Sequence, residues 1–533
     1  MKFDPMNMPY SSRRIPLSGR NGVVATSNAL ASDAGLEILK KGGNAVDAAI
    51  ATAACLTVVE PTANGIGSDN FALVWMKDKL YGLNSNGPSP ERITLDEVKK
   101  SHETMPVHGW TPVTVPGTPR GWAELNRKFG NLSLLECLMP AISHAENGFP
   151  VAANVAHMWK RALKKYREIF KGEEYEEWFR TFTVKGEAPE AFEIVTLPDH
   201  ARTLRLIGET SAEAFYTGEL ADKMEEDSIK HGGYLRKCDL ASFSSEWVTP
   251  LTVAYRGYEV AELPPSGQGM VALMALNTLS RFPVKNRDAE YYHRAMESMK
   301  MAFADGMHHI TDPKDMGFRP SDFLTEEFAK RRAGMITDEA QIFTYEDPFQ
   351  SGTVYLATAD KDGNMVSMIQ SNYMGFGSGI VVGGTGISLQ NRGADFKLDE
   401  NHRNALASKK RTYHTIIPGM LLKESKCIGV FGVMGGYMQP QGHLQVMSSL
   451  LDFNLNPQAA LDCPRWQWIR EKEILVENTF DEKMVEELKM KGHEINVTED
   501  NSHFGRGQMI LKMSSGAYVA GTESRTDGNI SLY

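Results

Sequence analysis

A threonine stands at an unusual place in this sequence, at the start of a strand-like run. The run Ser351-Gly352-Thr353-Val354-Tyr355 follows a polar segment, residues 344–350, whose composition suits a flexible loop. A threonine hydroxyl is a weak nucleophile until a base removes its proton. By composition alone Thr353 is an ordinary strand residue, so a catalytic role requires further evidence.

The signatures of several other chemistries are missing from the sequence. It contains no GxxxxGK[ST] phosphate loop, no HExxH zinc pair and no GxSxG nucleophile elbow. The glycine-rich stretch 377–382 breaks the dinucleotide-binding fingerprint, because Val382 occupies the third glycine position. We therefore expect no cofactor.

Histidine and cysteine are spaced unlike metal ligands. The fourteen histidines are scattered, and His308-His309 has no carboxylate or thiolate at ligand spacing. His293 and Glu297 share one helical face, where we expect a surface i,i+4 pair. The five cysteines form no CxxC pair, which fits neither a disulfide framework nor a zinc cluster. The sequence thus predicts no metal site and a reducing compartment.

Size and charge exclude further classes of function. The chain has 533 residues and a mass of 59.1 kDa, with 42% hydrophobic and 23% charged residues, as in globular proteins. The net charge is −10 without a long basic run, so nucleic acid is not an expected partner. The first twenty residues contain no apolar leader, and the run 48–59 is too short to span a bilayer. We expect a cytoplasmic protein without a membrane partner.

Helical patterns mark the first 310 residues. Residues 32–39 predict a helix with Ser32 as its N-cap, which ends at Gly42-Gly43, and a second helix of small residues follows Asn44. Apolar residues recur at 292, 295, 296, 299, 302 and 303, which predicts an amphipathic helix.

Strand patterns mark the last third of the chain. Residues 353–359 and 365–370 predict a hairpin around Asp360-Lys361-Asp362-Gly363-Asn364, whose spacing fits a turn and not a calcium loop. Strands are predicted at 416–422 and 428–431, a helix at 481–491, and a final hairpin turn at 514–516. The order of elements suits a layered sheet-on-sheet core flanked by helices at least as well as a doubly wound sheet. Because linkers and repeats are lacking, we expect one large unit.

Short motifs make the sequence similar to one known family. Four stretches resemble the large-subunit signatures of the γ-glutamyltransferase family, or glutathione hydrolases: GGNAVDAA at 42–49, VPG at 115–117, PPSG at 264–267 and AFAD at 302–305. Thr353 followed by DKDGN at 360–364 resembles the start of the family's small subunit. The motifs run in family order from Ser32 to beyond Arg465, and the departures described below place the chain near atypical, cephalosporin-acylase-like members.

The resemblance implies both a fold and a maturation step. The expected fold is the four-layer αββα sandwich of the N-terminal-nucleophile hydrolases, an α+β fold. The precursor is expected to cut itself between Gly352 and Thr353, which gives a large segment, 1–352, and a small segment, 353–533, that together form one αββα unit. The cut has a physical rationale, because the freed α-amine, with a pKa of about 7.7–8.0, can accept the hydroxyl proton. Thr353 would then be nucleophile and base together.

Three further catalytic or binding roles follow from the resemblance. Gly435 and Gly436 match a glycine pair whose backbone N–H groups form an oxyanion hole, although a plain turn after a strand is the alternative. Ser371 matches a threonine that hydrogen-bonds the nucleophile. Asp395 matches an aspartate that pairs with the α-amino group of the substrate, the alternative being a solvated loop carboxylate.

The residues expected to hold the substrate depart from the family pattern. Asn86 stands where the family has an arginine for the substrate α-carboxylate, and asparagine offers no charge-assisted fork. His414-Thr415 replaces a pair of serines, Tyr373 replaces an asparagine, and Arg392 replaces a glutamine. Arg392 could contact the substrate carboxylate from another direction or form an ion pair with Asp395. The catalytic residues are kept while the glutamate pocket is rebuilt.

The resemblance therefore predicts a self-processing γ-glutamyltransferase-like enzyme. It would cleave γ-glutamyl or related amide bonds through an acyl-threonine intermediate and pass the acyl group to water or to an amine. An acylase for other amides is the first alternative, because the departures concentrate in the substrate clamp. An unprocessed, inactive scaffold is a second alternative, and the joint presence of Thr353, Ser371, Gly435 and Gly436 argues against it.

Overall fold

The computed structural model describes residues 14–343 and 352–533, so the predicted loop at 344–350 and the first thirteen residues lie outside the described residues. The strands are β1 (Leu17–Gly19), β2 (Gly22–Thr26), β3 (Asp69–Met76), β4 (Lys79–Ser85), β5 (Phe149–Pro150), β6 (Ile194–Val195), β7 (Glu246–Val248), β8 (Leu251–Tyr255), β9 (Tyr258–Glu262), β10 (Gly352–Asp360), β11 (Met365–Tyr373), β12 (Gly419–Lys423), β13 (Lys426–Met434), β14 (Trp466–Arg470), β15 (Glu473–Glu477), β16 (Glu494–Thr498), β17 (Arg506–Lys512), β18 (Tyr518–Thr522) and β19 (Asn529–Leu532).

The helices occupy most of the sequence between these strands. They are α1 (Ala29–Lys40), α2 (Ala45–Val59), α3 (Leu95–Lys99), α4 (Thr118–Phe129), α5 (Leu134–Asn147), α6 (Ala153–Ile169), α7 (Glu176–Phe182), α8 (Pro198–Glu209), α9 (Glu213–Tyr216), α10 (Glu219–Lys230), α11 (Lys237–Ala241), α12 (Gly269–Leu279), α13 (Ala289–His309), α14 (Glu326–Ala333), α15 (Met438–Leu451), α16 (Pro457–Asp462) and α17 (Glu482–Met490). Among the helices of the described residues, none is both long and apolar enough to cross a membrane.

Two seven-stranded sheets form the centre of the molecule. Sheet 1 has the order β19-β2-β10-β11-β3-β4-β7, and sheet 2 has the order β1-β18-β17-β13-β12-β9-β8. Neighbouring strands in both sheets run antiparallel. Antiparallel pairing excludes the doubly wound alternative, because that fold needs parallel strands joined by crossover helices.

Alternation along the strands builds four layers. On β10, Val354 and Leu356 pack toward the helices on the outer face of sheet 1, whereas Tyr355 and Ala357 pack toward sheet 2. Sheet 2 in turn buries its other face under α12, α13 and α15. The result is helix, sheet, sheet, helix, and the expected αββα sandwich is confirmed.

The corner between α1 and α2 is set by two asparagine caps. The side chain of Asn28 accepts the N–H of Leu30 at 3.0 Å, so the prediction of Ser32 as the N-cap is wrong. Ser32 instead lies buried within the first turn and donates to the carbonyl of Ala29 at 2.9 Å. The second helix begins after Asn44 as predicted, with a capping box completed by Asp47. All residues of α2 are buried, because its small side chains let it pack closely between sheet 1, α1 and α5.

The amphipathic helix expected around residue 292 is confirmed as α13, but its polar pair is not on the surface. His293 and Glu297 are both fully buried, so the predicted surface interaction is wrong. His293 Nδ1 lies 2.9 Å from His493 Nε2, and Glu297 Oε1 accepts from Lys300 Nζ at 2.7 Å. Sequence spacing could not reveal this arrangement, because His493 comes from the turn after α17, 200 residues further along the chain.

The hairpin β10–β11 and the turn that closes it match the prediction. The buried carboxylate of Asp360 accepts the backbone N–H groups of Asp362 and Asn364 within the turn and that of Ala45 at the start of α2. Asp360 thus joins the hairpin to the helical layer. The later strands also exist, but β12 begins at Gly419, three residues after the predicted start.

We expect Asp360→Ala to lower the free energy of unfolding by about 2–4 kcal/mol, because it leaves several buried N–H groups without an acceptor. Asp362→Ala is the matched control, since this exposed carboxylate in the same turn should matter by no more than about 0.5 kcal/mol. Thermal or denaturant unfolding of the two variants measures the difference. Equal losses of stability would show that Asp360 does not anchor the hairpin.

Candidate active site

Thr353 and Ser371 meet at one end of the central hairpin. A β-bulge between Gly352 and Val354 interrupts the ladder at Thr353, and Ser371 lies near the end of the partner strand β11. Both side chains are buried, and Thr353 Oγ1 lies 3.0 Å from Ser371 Oγ. Strand pairing therefore brings together the two hydroxyls that the sequence analysis predicted to act together.

The proton positions around Ser371 follow from its hydrogen bonds. Ser371 Oγ donates to the carbonyl oxygen of Gly352 at 2.8 Å and accepts the backbone N–H of Tyr373 at 2.8 Å. A hydroxyl has one donor and two acceptor sites, so its remaining site accepts the proton of Thr353. Among the residues that the structure describes, no group donates a hydrogen bond to Thr353 Oγ1 in this arrangement, and Ser371 binds the carbonyl of Gly352, which belongs to the peptide bond that precedes Thr353.

The glycine pair lies directly after β13, in the sheet that faces Thr353. Gly435 has φ +135° and Gly436 φ +59°, and a Cβ at Gly435 would approach Gly505 Cα to 3.1 Å, so side chains are disfavoured there. Gln268 Nε2 donates to the carbonyl of Gly436 at 2.8 Å and to that of Thr415 at 2.6 Å, which fixes the turn. Neither glycine N–H donates a hydrogen bond within the part of the chain that the structure describes. The pair therefore offers two backbone donors.

Asp395 is enclosed by side chains of the protein. Its Oδ1 accepts the hydroxyls of Tyr373 at 2.6 Å and Tyr437 at 3.0 Å, and its Oδ2 lies 3.3 Å from Arg392 Nη1. Burial raises the pKa of Asp395, while Arg392 and the two phenols counteract that shift. The carboxylate is thus neither a solvated loop group nor open to a substrate ammonium group in this structure.

Arg392 forms an ion pair through Nη1, whereas another edge of its guanidinium group has no partner among the described residues. Nη1 also donates to Thr415 Oγ1 at 2.9 Å, and the guanidinium stacks 3.9 Å from the ring centre of Tyr373. Tyr373 adopts φ +76°, a conformation rare for a bulky residue. Arg392 is 1% exposed, yet Nε and Nη2 have no hydrogen-bond partner among the described residues. These two atoms form the edge that binds a carboxylate through two parallel hydrogen bonds.

Two residues of the expected substrate pocket, Asn86 and His414, form hydrogen bonds to other side chains of the protein. The buried Asn86 Nδ2 donates to Ser266 Oγ at 3.2 Å. His414 accepts the N–H of Ile416 at Nδ1 (3.3 Å), which places the proton on Nε2, 3.0 Å from Asp69 Oδ2. His414 therefore belongs to a closed buried pair, whereas its neighbour Thr415 contacts Arg392.

The structure adds residues that the sequence analysis missed. Asp69 pairs with Ser371 across β3 and β11, and it also accepts the N–H of Gly117 at 3.2 Å. Tyr437 follows the glycine pair directly, and that adjacency was the available signal for it. Asp69 and Gln268 carried no signal, because the partners that join them to the site, His414 and Thr415, lie more than 140 residues away in the sequence.

One buried cluster has the composition of a metal site. Ligand atoms of His293, Glu297 and His493 lie within 4.8 Å of one another. However, the ammonium of Lys300 pairs with Glu297 Oε1, and His493 Nε2 and His293 Nδ1 lie at hydrogen-bond distance from each other. A cation here would have to displace both the lysine and the proton between the two rings, so the residues fit a polar network better than a metal.

The chain is similar to known proteins over nearly its whole length. The family model for gamma-glutamyltranspeptidase matches residues 31–533. The crystal structure of cephalosporin acylase from Bacillus halodurans superposes with a TM-score of 0.97 at 53% identity, covering 100% of this chain and 99% of that one. The glutathione hydrolase-like YwrD proenzyme of Bacillus subtilis is 37% identical over 96% of this chain and 98% of its own length. The oxamate amidohydrolase proenzyme of Klebsiella pneumoniae is 31% identical over 96% and 98%.

The αββα sandwich and the solved structures that it resembles show that the chain has the fold of the N-terminal-nucleophile hydrolases. Within that class, the chain belongs to the gamma-glutamyltranspeptidase family of enzymes, and its similarity to cephalosporin acylase confirms the expected subgroup.

The Asp69–His414 pair generates a prediction about pH. Burial raises the pKa of Asp69 to about 7 from the usual 3.8, so the folded chain holds this proton more tightly than the unfolded chain. The resulting stability is present below pH 4 and is lost as the pH rises through about 7. Between pH 5 and 8, the wild type should therefore lose about 1–3 kcal/mol of stability relative to Asp69→Asn, which cannot ionise.

Melting temperatures of the two proteins, measured across this pH range, test the prediction. His414 is present in both, so its own titration largely cancels in the comparison. A constant difference between the two melting temperatures would contradict the assigned pKa of Asp69.

Proposed function

We propose that the chain is a self-processing threonine amidohydrolase that uses Thr353 as its nucleophile. The contact that carries the proposal is the 3.0 Å approach of the Thr353 and Ser371 hydroxyls, with Ser371 also bound to the Gly352 carbonyl. Two relatives described as proenzymes support the processing step. The processed enzyme would consist of segments 1–352 and 353–533.

Processing follows from the hydroxyl arrangement. Thr353 Oγ1 attacks the carbonyl carbon of Gly352 while Ser371 donates to the carbonyl oxygen, where negative charge develops. The bond to the Thr353 nitrogen breaks, that nitrogen takes up a proton, and an ester forms between Gly352 and Thr353 Oγ1. Water then hydrolyses the ester. The products are a carboxylate on Gly352 and a free α-amine on Thr353.

The freed amine completes the catalytic residue. It accepts the hydroxyl proton, Thr353 Oγ1 attacks the substrate amide, and the N–H groups of Gly435 and Gly436 stabilise the oxyanion. The amine then gives its proton to the leaving amine of the substrate. Water, or another amine, attacks the acyl ester and regenerates Thr353.

The environment of Asp395 favours an acyl group that has no α-amine. Asp395 is already bound by two phenols and Arg392, so a substrate ammonium group would find no free counter-charge. Arg392, by contrast, offers Nε and Nη2 to a carboxylate. We therefore propose an acylase that prefers acyl groups ending in a carboxylate.

A γ-glutamyl donor remains the second candidate, because Asp395 is retained and one relative is described as glutathione hydrolase-like. Accepting it would require the aspartate to exchange a phenol or Arg392 for the substrate ammonium group. That exchange removes hydrogen bonds from a buried carboxylate and carries a cost in affinity.

One prediction of the proposed function concerns processing. Purified wild type should separate on a denaturing gel into pieces of 352/533 and 181/533 of 59.1 kDa, about 39 and about 20 kDa, the smaller one beginning at Thr353. Thr353→Ala should remain one chain, because it lacks the attacking hydroxyl, whereas Thr353→Ser should still be cut. Cleavage of Thr353→Ala at the same bond would refute autoprocessing by this residue.

Another prediction of the proposed function concerns the acyl group of the substrate. Glutaryl and γ-glutamyl anilides differ only in the α-amine, so their comparison isolates the role of Asp395. We expect kcat/KM to be at least about tenfold higher for the glutaryl anilide, because an unpaired ammonium group is costly to bury. Arg392→Gln should raise KM for the glutaryl anilide with a smaller change in kcat.

Butyryl anilide, which lacks the carboxylate, is the matched control for Arg392→Gln and should be affected little. A preference of the wild type for the γ-glutamyl anilide would favour the second candidate. An unchanged KM in Arg392→Gln would exclude Arg392 as the carboxylate contact.

A further inference from the structure

A large cavity opens at the end of the sandwich away from Thr353, mainly on the face of sheet 2 that packs against the helices. Four turns surround it: β3–β4 and β10–β11 from sheet 1, and β12–β13 and β17–β18 from sheet 2. Its volume is about 590 Å³, within the range of about 300–1,000 Å³ found for small-molecule sites. Seven residues of β10, 354–360, separate it from Thr353, about 25 Å at the usual rise per residue. It is therefore not part of the site described above.

The inner wall of the cavity is apolar. Leu421 and Leu511 line it from the face of sheet 2 that packs against the helices, and Leu451 at the end of α15 closes one side. Trp75 of sheet 1 lines it from the layer between the two sheets. Leu451 and Leu511 are only partly buried, although they pack against the core cluster beneath sheet 2. The wall thus presents apolar surface that a ligand chain could remove from water.

The rim of the cavity is rich in lysine. Lys77, Lys423, Lys426 and Lys512 contribute to its lining, and none of them forms an ion pair within residues 14–343 and 352–533. The two acidic residues of the rim, Asp78 and Asp362, leave an excess of two positive charges in a chain whose net charge is −10. This local excess is complementary to an anion.

One of the ammonium groups spans the opening, and another lies over an aromatic ring of the lining. A Cβ placed on Gly363 would lie 2.5 Å from Lys512 Nζ, so this lysine reaches from a turn of sheet 2 to the turn of β10–β11 in sheet 1. Lys423 Nζ lies 5.3 Å from the ring centre of Tyr258, which also lines the cavity. The positive charges therefore border the apolar space directly.

We propose that this cavity binds a medium-chain aliphatic carboxylate, with the chain against Leu421, Leu451 and Leu511 and the carboxylate at Lys423 and Lys426. The apolar wall would remove the aliphatic chain of the ligand from water, and the unpaired lysines of the rim would bind its carboxylate. A purely apolar ligand would leave the rim unused, and a small inorganic anion would leave the wall unused.

Titration calorimetry with decanoate tests the proposal on the purified wild type, with both segments present. We expect one decanoate per chain at this cavity, at least fivefold weaker binding of decanol, and no measurable binding of acetate. The double variant Lys423→Ala/Lys426→Ala should bind decanoate about three- to tenfold more weakly, as for partly exposed charge contacts. Lys361→Ala, an exposed lysine of the neighbouring turn that does not line the cavity, is the matched control and should leave affinity unchanged.

A second pair of variants locates the site. Leu451→Asp should weaken decanoate binding, because it introduces a negative charge into the wall, while Arg392→Gln should leave the binding unchanged. Loss of binding in Arg392→Gln alone would place decanoate at the Thr353 site and overturn the proposal. Failure of decanoate to bind, or equal binding of decanoate and decanol, would also overturn it.

Discussion

The pairing of β10 with β11 is the constraint on which the candidate site depends. It brings two hydroxyls within 3.0 Å and uses every hydrogen-bonding capacity of Ser371 Oγ, so that the proton of Thr353 has one defined acceptor. The hairpin is held at its other end by Asp360, which binds the first turn of α2. The position of Thr353, the proposed nucleophile, is thus fixed by backbone pairing and by the buried carboxylate of Asp360.

A second constraint is the neutralisation of buried charge around Asp395. The carboxylate lies in the interior, where an unpaired charge is expensive, and Arg392 with two phenols compensates it. Because Arg392 uses only Nη1 for this purpose, one edge of the guanidinium stays available. Under the proposed function, this edge is the cationic group that the site presents to the carboxylate of an acyl group.

Local patterns in the sequence predicted the elements whose causes are local. The start of α2 after Asn44, the amphipathic helix α13 and the hairpin closed by Asp360 depend on residues a few positions apart, and motif order supplied the αββα fold. The N-cap of α1 was an exception, because Ser32 was predicted and Asn28 is the cap. The surface pair His293 and Glu297 was wrong because its partner His493 is distant in sequence. The same reason hid Asp69, and an ion pair between Arg392 and Asp395 could be foreseen only as one of two alternatives.

The two ends of the sandwich differ in whether their charged side chains have partners within the protein. At the Thr353 end, Asp69, Arg392, Asp395 and His414 are buried and satisfied mainly by one another, so few of their groups remain for a ligand. At the opposite end, the turns carry lysines that lack carboxylate partners among the described residues. Under the two proposals, selectivity at the Thr353 end comes from the donors that have no partner among the described residues, Arg392 Nε and Nη2 and the glycine N–H groups. The opposite end would attract anions at a site separate from Thr353.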